Sequence, residues 1–239
     1  MNQKIHDYSF AVVLSLVLLS AALQVALPEA ELSHLVTIVL GAATLSASAW
    51  AARAEHPLVR SAVVAATGLA LVSVVVVTAT GDVPRATVAL VNGLLIAFAP
   101  AVIAIGLLRD VRAEGQVTVR TLSGVLAIYL LLGMFFSFLD GAVAGFGSGP
   151  FFAGDPDTAR SDFLYFSYVT LSTVGYGDLV PVTDVGRMLA ITESLIGQIY
   201  LVTVVALIVA NLRPRAASEF PERTPSVPRA ADGSAERTH

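Results

Sequence analysis

Residues 170–178 read T-L-S-T-V-G-Y-G-D, and this stretch indicates how the rest of the chain is arranged. Gly175 and Gly177 alternate in it with Val174 and Tyr176. Glycine enters left-handed backbone conformations at little cost, whereas β-branched and aromatic residues do so reluctantly. The alternation can therefore turn successive carbonyl oxygens to one side of an extended chain. Such a row of carbonyl oxygens is a site for a cation.

The segments on either side of this stretch are apolar and differ in length. Residues 161–172 form an amphipathic segment that is too short to cross a bilayer, whereas residues 186–212 form a long apolar run. Backbone that leaves helical geometry at membrane depth is tolerated only inside protein or beside water. We therefore expect residues 161–172 to form a re-entrant helix whose carboxyl end, with its partial negative charge, points at the cation.

The composition is that of a membrane protein with several spans. Of its 239 residues, 56% are hydrophobic and only 13% are charged, and the charged ones lie in short stretches between apolar runs. Soluble domains carry about 25% charged residues. The chain has no cysteine, which excludes disulfides and thiolate metal sites. It has no basic patch for a nucleic acid and no nucleophile–base pair or metal-ligand cluster, so we expect neither an enzyme nor a cofactor.

The apolar runs predict an all-α membrane protein with six transmembrane helices. The first run also fits a secretory signal peptide, but its length and the spans that follow favour an uncleaved first span. Four spans form an N-terminal transmembrane domain, residues 9–108, and their predicted bounds are 9–27, 32–52, 61–80 and 86–108. The other predicted segments are a cytoplasmic N-terminus (1–8), a cytoplasmic linker (109–120), a domain that holds the cation-binding stretch (121–212) and a disordered cytoplasmic tail (213–239).

Within residues 121–212, the predicted elements are an outer helix (121–139), the re-entrant helix (161–172), the cation-binding stretch (173–178) and an inner helix (186–212). Residues 140–160 are rich in Gly, Asp and Pro and predict an exposed loop. Ser161 or Asp162 can cap the helix that follows.

The distribution of Lys and Arg predicts that both termini are cytoplasmic. With that topology the inner segments carry Lys4, Arg53, Arg60, Arg109, Arg112, Arg120 and the five tail arginines, and the outer ones carry Arg85, Arg160 and Arg187. This bias agrees with the positive-inside rule for a protein of the plasma membrane. It also places residues 173–178 on the extracellular side.

The pattern T-x-x-T-x-G-Y-G-D of residues 170–178 resembles the signature of potassium channels. The resemblance implies that K⁺ is coordinated by the carbonyl oxygens of Thr173, Val174, Gly175 and Tyr176 and by the Thr173 hydroxyl, with Gly177 completing the selectivity filter. The chain has one such loop, whereas a ring around an ion needs several. The family arrangement therefore implies a homotetramer in the lipid bilayer.

The resemblance also implies residues that support this filter. Asp178 would brace its outer end, Thr170 would open the signature, and Tyr165 and Phe166 would form an aromatic collar behind it; ordinary aromatic packing is the alternative. Val169 stands where some relatives have an acidic residue, which argues against a carboxylate pair with Asp178. Acidic residues facing outside could form a cation-concentrating vestibule, in which Arg187 could pair with an acid: Asp140, Asp155, Asp157, Asp162 and Asp184.

Several residues of the last apolar run are candidates for gating or for lining a cavity. Gly197 lies where the family often has a hinge glycine, and close helix packing is the alternative. Gln198, Leu201 and Val205 follow at helical spacing and could line an inner cavity. Glu193 is an intramembrane carboxylate, for which function is the default interpretation. Its offset of about 140° from Gln198 favours a structural hydrogen bond to the re-entrant helix instead.

The fourth predicted span, residues 86–108, contains no Lys or Arg. A voltage sensor needs arginines repeated along one helix, because the electrical work scales with the charge moved. We therefore predict a potassium channel that is not steeply voltage-gated. Two alternatives stay open. One is a K⁺ uptake transporter subunit, although these usually carry four degenerate loops per chain. The other is a non-conducting membrane sensor or scaffold.

Overall fold

The computed structural model describes residues 9–27, 31–52, 85–114, 118–154 and 158–211, together with single positions between residues 61 and 75. Six helices lie in this part of the chain: α1 Ser9–Ala26, α2 Glu31–Ala51, α3 Arg85–Glu114, α4 Val119–Phe146, α5 Arg160–Leu171 and α6 Asp184–Asn211. The predicted third span, 61–80, lies largely outside the described residues, as do the two predicted cytoplasmic ends.

Four of the described helices are long and apolar enough to cross a membrane. These segments are Ser9–Ala26, Ala86–Val111, Val119–Phe146 and Asp184–Ala210, and the apolar part of α2, Leu35–Ala51, is shorter. Between the described residues, β-pairing is limited to one isolated bridge from Phe152 to Pro181. The prediction of an all-α membrane protein is confirmed at this level, and the count of six spans stays a prediction.

Helix α4 lies at the centre of the arrangement. It packs against α1, α3, α5 and α6, while α2 packs against α1 and α3. The main apolar core lies along these contacts, and its largest fully buried side chains include Phe10, Leu45, Leu95, Leu131 and Met134. Residues of α4 thus join the N-terminal helices to the pair α5–α6.

The charged region between α3 and α4 is more helical than the sequence predicted. Helix α3 runs on to Glu114, and α4 begins at Val119 with Thr118 as its N-cap. Arg120 forms an ion pair with Asp110 at 3.2 Å and donates a hydrogen bond to the Ala51 carbonyl oxygen at 3.0 Å. Its guanidinium also lies 5.0 Å from the centre of the Phe10 ring. Arg120 therefore connects four helices at one end of the bundle.

The prediction of an exposed loop from residue 140 to residue 160 was wrong in two respects. Helix α4 continues to Phe146, and Phe151 and Phe152 are buried. Residues 151–153 pair with residues 180–182, which follow the stretch 173–178. Ala153 N–H donates to the Val180 carbonyl oxygen at 3.0 Å, and Val182 N–H donates to the Phe151 carbonyl oxygen at 2.9 Å. Two adjacent phenylalanines bury apolar area even where Gly and Pro prevent regular structure.

Asp140 does not contribute to an outward-facing acidic vestibule. Its side chain is fully buried on α4. The residue lies at the end of the apolar run, and the sequence did not reveal that α4 extends two turns further and packs on the side that carries Asp140. Asp155 and Asp157 lie outside the described residues.

Candidate ion-binding site

Helix α5 is short and is capped at its first turn by an acid. It has 12 residues, which corresponds to about 18 Å, well below the thickness of a bilayer core. The Ala159 N–H donates to Asp162 Oδ2 at 3.0 Å, so Asp162 is the acid that acts at this end. Ser172 caps the other end. The helix therefore ends immediately before residues 173–178, which we call the TVGYGD segment.

Every second residue of the TVGYGD segment, beginning with Thr173, has a left-handed backbone conformation. Positive φ angles occur at Thr173 (58°), Gly175 (52°) and Gly177 (79°), with Val174 and Tyr176 between them. The glycines were expected in this conformation, and Thr173 was not. A β-branched residue held there costs about 1–3 kcal/mol and persists only where its surroundings impose it.

The last turn of α5 holds the beginning of this segment through backbone hydrogen bonds. The Val169 carbonyl oxygen accepts from Val174 N–H at 3.0 Å and from Gly175 N–H at 3.3 Å. The Thr170 carbonyl oxygen accepts from Thr173 N–H at 2.9 Å. Thr170 thus supports the segment through its main chain. These bonds use carbonyl groups that a helix leaves without partners at its carboxyl end.

A second hydrogen bond ties the far end of the segment back to α5. The Tyr165 hydroxyl donates to Asp178 Oδ2 at 2.8 Å. This bond lowers the pKa of Asp178 below its ordinary 3.8 and raises the pKa of Tyr165 above 10.0. Tyr165 is therefore the hydrogen-bond partner of Asp178, and the segment is held at both ends.

The Phe166 ring has different neighbours from the Tyr165 ring. Its ring centre lies 5.0 Å from that of Phe152, in a buried cluster completed by Phe151 and Phe163. The structure thus brings Tyr165 to Asp178 and places Phe166 against the segment that follows α4. Arg187 donates to the Pro181 carbonyl oxygen at 3.2 Å, where the sequence had suggested an acidic partner.

Helix α6 crosses α5 at very short range, and Gly197 stands at the crossing. A Cβ atom at this position would come closer than 3.0 Å to the Leu171 carbonyl oxygen, which real Cβ atoms do not do. One turn earlier, Ser194 Oγ donates to the Thr170 carbonyl oxygen at 3.3 Å. Of the two alternatives for Gly197, close packing is the one that this geometry requires.

Glu193 contacts α5 from the same helix and is fully buried. Its Oε1 atom is hydrogen-bonded to Ser167 Oγ, and Ser167 Oγ also lies 2.6 Å from the Gly133 carbonyl oxygen of α4. Sequence reasoning did not single out Ser167 or Gly133. Small residues on three successive apolar helices are the signal that could have indicated a close crossing.

The single chain leaves the TVGYGD segment and much of α6 exposed. Tyr176 is 72% exposed, and the other residues of the segment are exposed as well. On α6 the candidate cavity residues Gln198, Leu201 and Val205 are exposed as well. These side chains therefore lie on a surface that this chain does not cover.

Comparison with known proteins locates the similarity in this region. Residues 124–213 match a family model described as "Ion channel". The two pore potassium channels b and a of rice are 38% identical over 76 residues and 33% identical over 106 residues. The potassium voltage-gated channel protein shk-1 of Caenorhabditis elegans is 38% identical over 77 residues. The resemblance to pore-loop potassium channels is confirmed.

The similarity covers part of each protein. It spans 32%, 44% and 30% of this chain, and 20%, 26% and 14% of the three relatives, in the order given above. No solved structure matches the chain. The family match therefore concerns the region of α4 to α6, and helices α1 to α3 fall outside it.

Proposed function

We propose that this protein is a potassium-selective channel that conducts K⁺ passively across the plasma membrane as a homotetramer. The observation that carries the proposal is the alternating left-handed backbone at Thr173, Gly175 and Gly177, directly after a short helix. Alternation of hand lets the carbonyl oxygens of consecutive residues face the same side. Such a row can replace the hydration shell of K⁺ as the ion enters.

Four copies of the segment would complete the coordination. In the proposed tetramer, the carbonyl oxygens of Thr173, Val174, Gly175 and Tyr176, with the Thr173 hydroxyl, form rings around the conduction path. The exposure of the segment in one chain supports an assembly of this kind. The low burial of α6 supports it too, because only 11% of the residues in its apolar 18-residue window are buried within the described part of the chain. An apolar helix face of that extent is covered by lipid or by another subunit.

Helix α5 would act as a re-entrant pore helix. Its carboxyl end meets the TVGYGD segment, so its partial negative charge favours a cation there. Below it, Gln198, Leu201 and Val205 of α6 would line an inner cavity. The proposed orientation has both termini in the cytoplasm. We propose weak voltage dependence, because the fourth predicted span lacks basic residues between Ala86 and Leu108.

Reconstitution of the purified chain in a planar bilayer tests the proposal. Single-channel recording with K⁺ on one side and Na⁺ on the other should show currents that reverse near the K⁺ equilibrium potential. Gly175→Ala should abolish K⁺ selectivity. Gly154→Ala is its matched control: Gly154 also has a positive φ of 88° and, like Gly175, has open space around the added Cβ.

Three results would contradict the proposal. Equal permeability to Na⁺ and K⁺ would remove the selectivity. Uptake that depends on an imposed counter-ion gradient would favour a transporter subunit. Assembled protein that passes no current under any ionic condition would favour a sensor or scaffold. Mixing wild-type and Gly175→Ala chains tests the tetramer, since the K⁺-selective part of the current should then fall more steeply than the wild-type fraction.

A further inference from the structure

Ser167 lies between two acceptor oxygens at the point where α4, α5 and α6 meet. Its Oγ atom is 2.6 Å from the Gly133 carbonyl oxygen of α4 and is hydrogen-bonded to Glu193 Oε1 of α6. Both acceptor oxygens therefore lie within hydrogen-bond distance of Ser167 Oγ. Ser167 is fully buried, so water from outside does not share in this arrangement.

Counting protons decides the direction of these bonds. A serine hydroxyl has one proton to donate and can accept from other groups. Neither a main-chain carbonyl nor an ionised carboxylate can donate. Ser167 Oγ contacts two oxygens, the Gly133 carbonyl oxygen and Glu193 Oε1. If Glu193 were ionised, the single Ser167 proton could lie in only one of these contacts, and the other would have no proton between its two oxygens. Both pairs are satisfied only if Glu193 carries a proton and donates it to Ser167, which in turn donates to Gly133.

The surroundings of Glu193 agree with a neutral acid. The side chain is fully buried at membrane depth, and its Oε2 atom has no hydrogen-bond partner among the described residues. Within the same part of the chain, the titratable groups close enough to interact with its charge are Asp140 and Tyr129 of α4 and Tyr168 of α5. None of the three is basic, and within the described residues Glu193 forms no ion pair. An ionised carboxylate in such a site would be very costly.

We propose that Glu193 is held as a neutral carboxylic acid whose proton completes a relay from α6 through Ser167 of α5 to the Gly133 carbonyl of α4, and that this relay positions α5 ahead of the TVGYGD segment. Glu193 is therefore a positioning residue for ion selection. This consequence for selection depends on the proposed channel function, whereas the protonation state does not.

The relay is the polar part of a tight crossing. A Cβ at Gly133 would collide with the ring of Tyr168, and the Tyr168 hydroxyl donates to the Leu130 carbonyl oxygen at 2.8 Å. On the other side, Gly197 of α6 contacts the end of α5 at Leu171. Helix α5 is thus fixed between two helices by small residues and by one shared hydroxyl. Loss of the Glu193 proton would draw the Ser167 proton away from Gly133 and leave that carbonyl without it.

Infrared difference spectroscopy on the full-length protein in detergent tests the protonation state. At neutral pH, the difference between wild type and Glu193→Gln should contain the carbonyl-stretch band of a protonated carboxylic acid, shifted in D₂O. Asp140→Asn is the matched control, because it removes another fully buried carboxyl group, from α4, that makes no hydrogen bond in the relay, so the band assigned to Glu193 should remain in this variant. Loss of carboxylate bands in the Glu193→Gln difference would overturn the proposal.

Permeability ratios test the positioning role. Glu193→Gln keeps a donor to Ser167 and should retain the wild-type K⁺/Na⁺ permeability ratio. Glu193→Met fills similar space without a donor. The two single variants Glu193→Met and Ser167→Ala should each lower the ratio about tenfold, because a buried polar group loses its partner. A wild-type ratio in Glu193→Met, or an equal loss in Glu193→Gln, would overturn the role.

The two experiments separate the possible failures. If wild-type protein passes no K⁺ current, the proposed function fails, and the infrared difference still decides whether Glu193 is neutral. If Glu193→Met does not assemble, the comparison of Glu193→Gln with Ser167→Ala carries the test. A raised pH that lowers selectivity in wild type and leaves Glu193→Gln unchanged would further support the relay.

Discussion

The two halves of this molecule satisfy their buried polar groups in different ways. In the N-terminal half, α1 to α3, hydroxyl groups bond mainly to their own helix four residues back, as Thr44 and Ser48 do. In the C-terminal half, α4 to α6, Ser167, Tyr168 and Ser194 bond to other helices. Local bonds tolerate shifts between helices, whereas bonds between helices fix their relative position.

Burial of apolar surface shows the same contrast. In the apolar 18-residue windows of α3 and α4, 44% and 50% of the residues are buried within the described part of the chain, whereas in that of α6 only 11% are. The N-terminal helices thus find much of their packing against α4 in the same chain. Helix α6, which supports the candidate site, does not. The half whose hydrogen bonds run between helices thus also contains the helix that the described part of the chain leaves most exposed.

The largest expected effect comes from Gly197→Ala in the C-terminal half. The added Cβ would meet backbone of Leu171, which cannot move without displacing the end of α5, so we expect about 3 kcal/mol of destabilisation and loss of K⁺ current. Denaturant unfolding in detergent and bilayer recording measure the two effects.

Gly93→Ala in α3 is the matched control from the N-terminal half. Its added Cβ would meet only Phe138 Cβ at 3.5 Å, an ordinary contact, so stability should change little. If both variants behaved alike, the contrast in helix positioning between the two halves would be wrong.

Arg120→Ala is the corresponding change at the junction where α4 meets the three helices of the N-terminal half. It removes the ion pair with Asp110 and the hydrogen bond to Ala51, and should cost about 2 kcal/mol of stability. The K⁺/Na⁺ permeability ratio of the assembled variant should equal that of wild type. Arg120→Lys, which keeps the charge, should lose less. A changed ratio in Arg120→Ala would show that the two halves are coupled.

A smaller, pH-dependent effect is expected for Tyr165→Phe. The Tyr165 hydrogen bond lowers the pKa of Asp178, so its contribution to stability is present above the ordinary value of 3.8 and is lost as pH falls through the lower folded-state pKa. Wild type should exceed Tyr165→Phe in unfolding midpoint at neutral pH and match it in strong acid.

A double-mutant cycle with Asp178→Asn measures the coupling between the two side chains. Because both side chains are exposed in one chain, their coupling should be weaker than that of Ser167 with Glu193. If the difference in unfolding midpoint between wild type and Tyr165→Phe grew as the pH fell, the assignment of Asp178 as the ionised acceptor would be wrong.

The smallest effect concerns voltage. Moving one charge through the membrane potential supplies about 2.3 kcal/mol per 100 mV, and α3 carries no basic residue between Ala86 and Leu108. The conductance–voltage relation should be shallow in wild type and unchanged by Arg109→Gln. A steep relation would mean that the N-terminal half senses voltage through residues outside α3.

The local conformation of the candidate site was largely predictable from its residues. Gly175 and Gly177 indicated left-handed backbone, since glycine alone adopts it freely, and both have positive φ. Thr173 was missed because a threonine has no such preference, and the hydrogen bonds from the end of α5 impose its conformation. The capping role of Asp162 was also readable, because it depends on residues three apart.

The partners of the buried acids were much harder to predict. Glu193 was expected to face away from Gln198, because helical periodicity alone determines that angle. Its partner Ser167 could not be identified, because that depends on how α5 lies against α6. Asp140 was assigned to the outside and is buried, since its position near the end of an apolar run does not show which face of α4 is covered.

The sequence alone determined the membrane class, the short helix before residues 173–178, and the likeness to potassium channels. These properties rest on hydropathy, residue spacing and backbone preference, which neighbouring residues set. Only the tertiary structure decided that Tyr165 binds Asp178, that Gly197 contacts Leu171, and that Ser167 joins Glu193 to Gly133. Those contacts depend on the distances and rotations between helices, which arise from packing of surfaces distant in the chain.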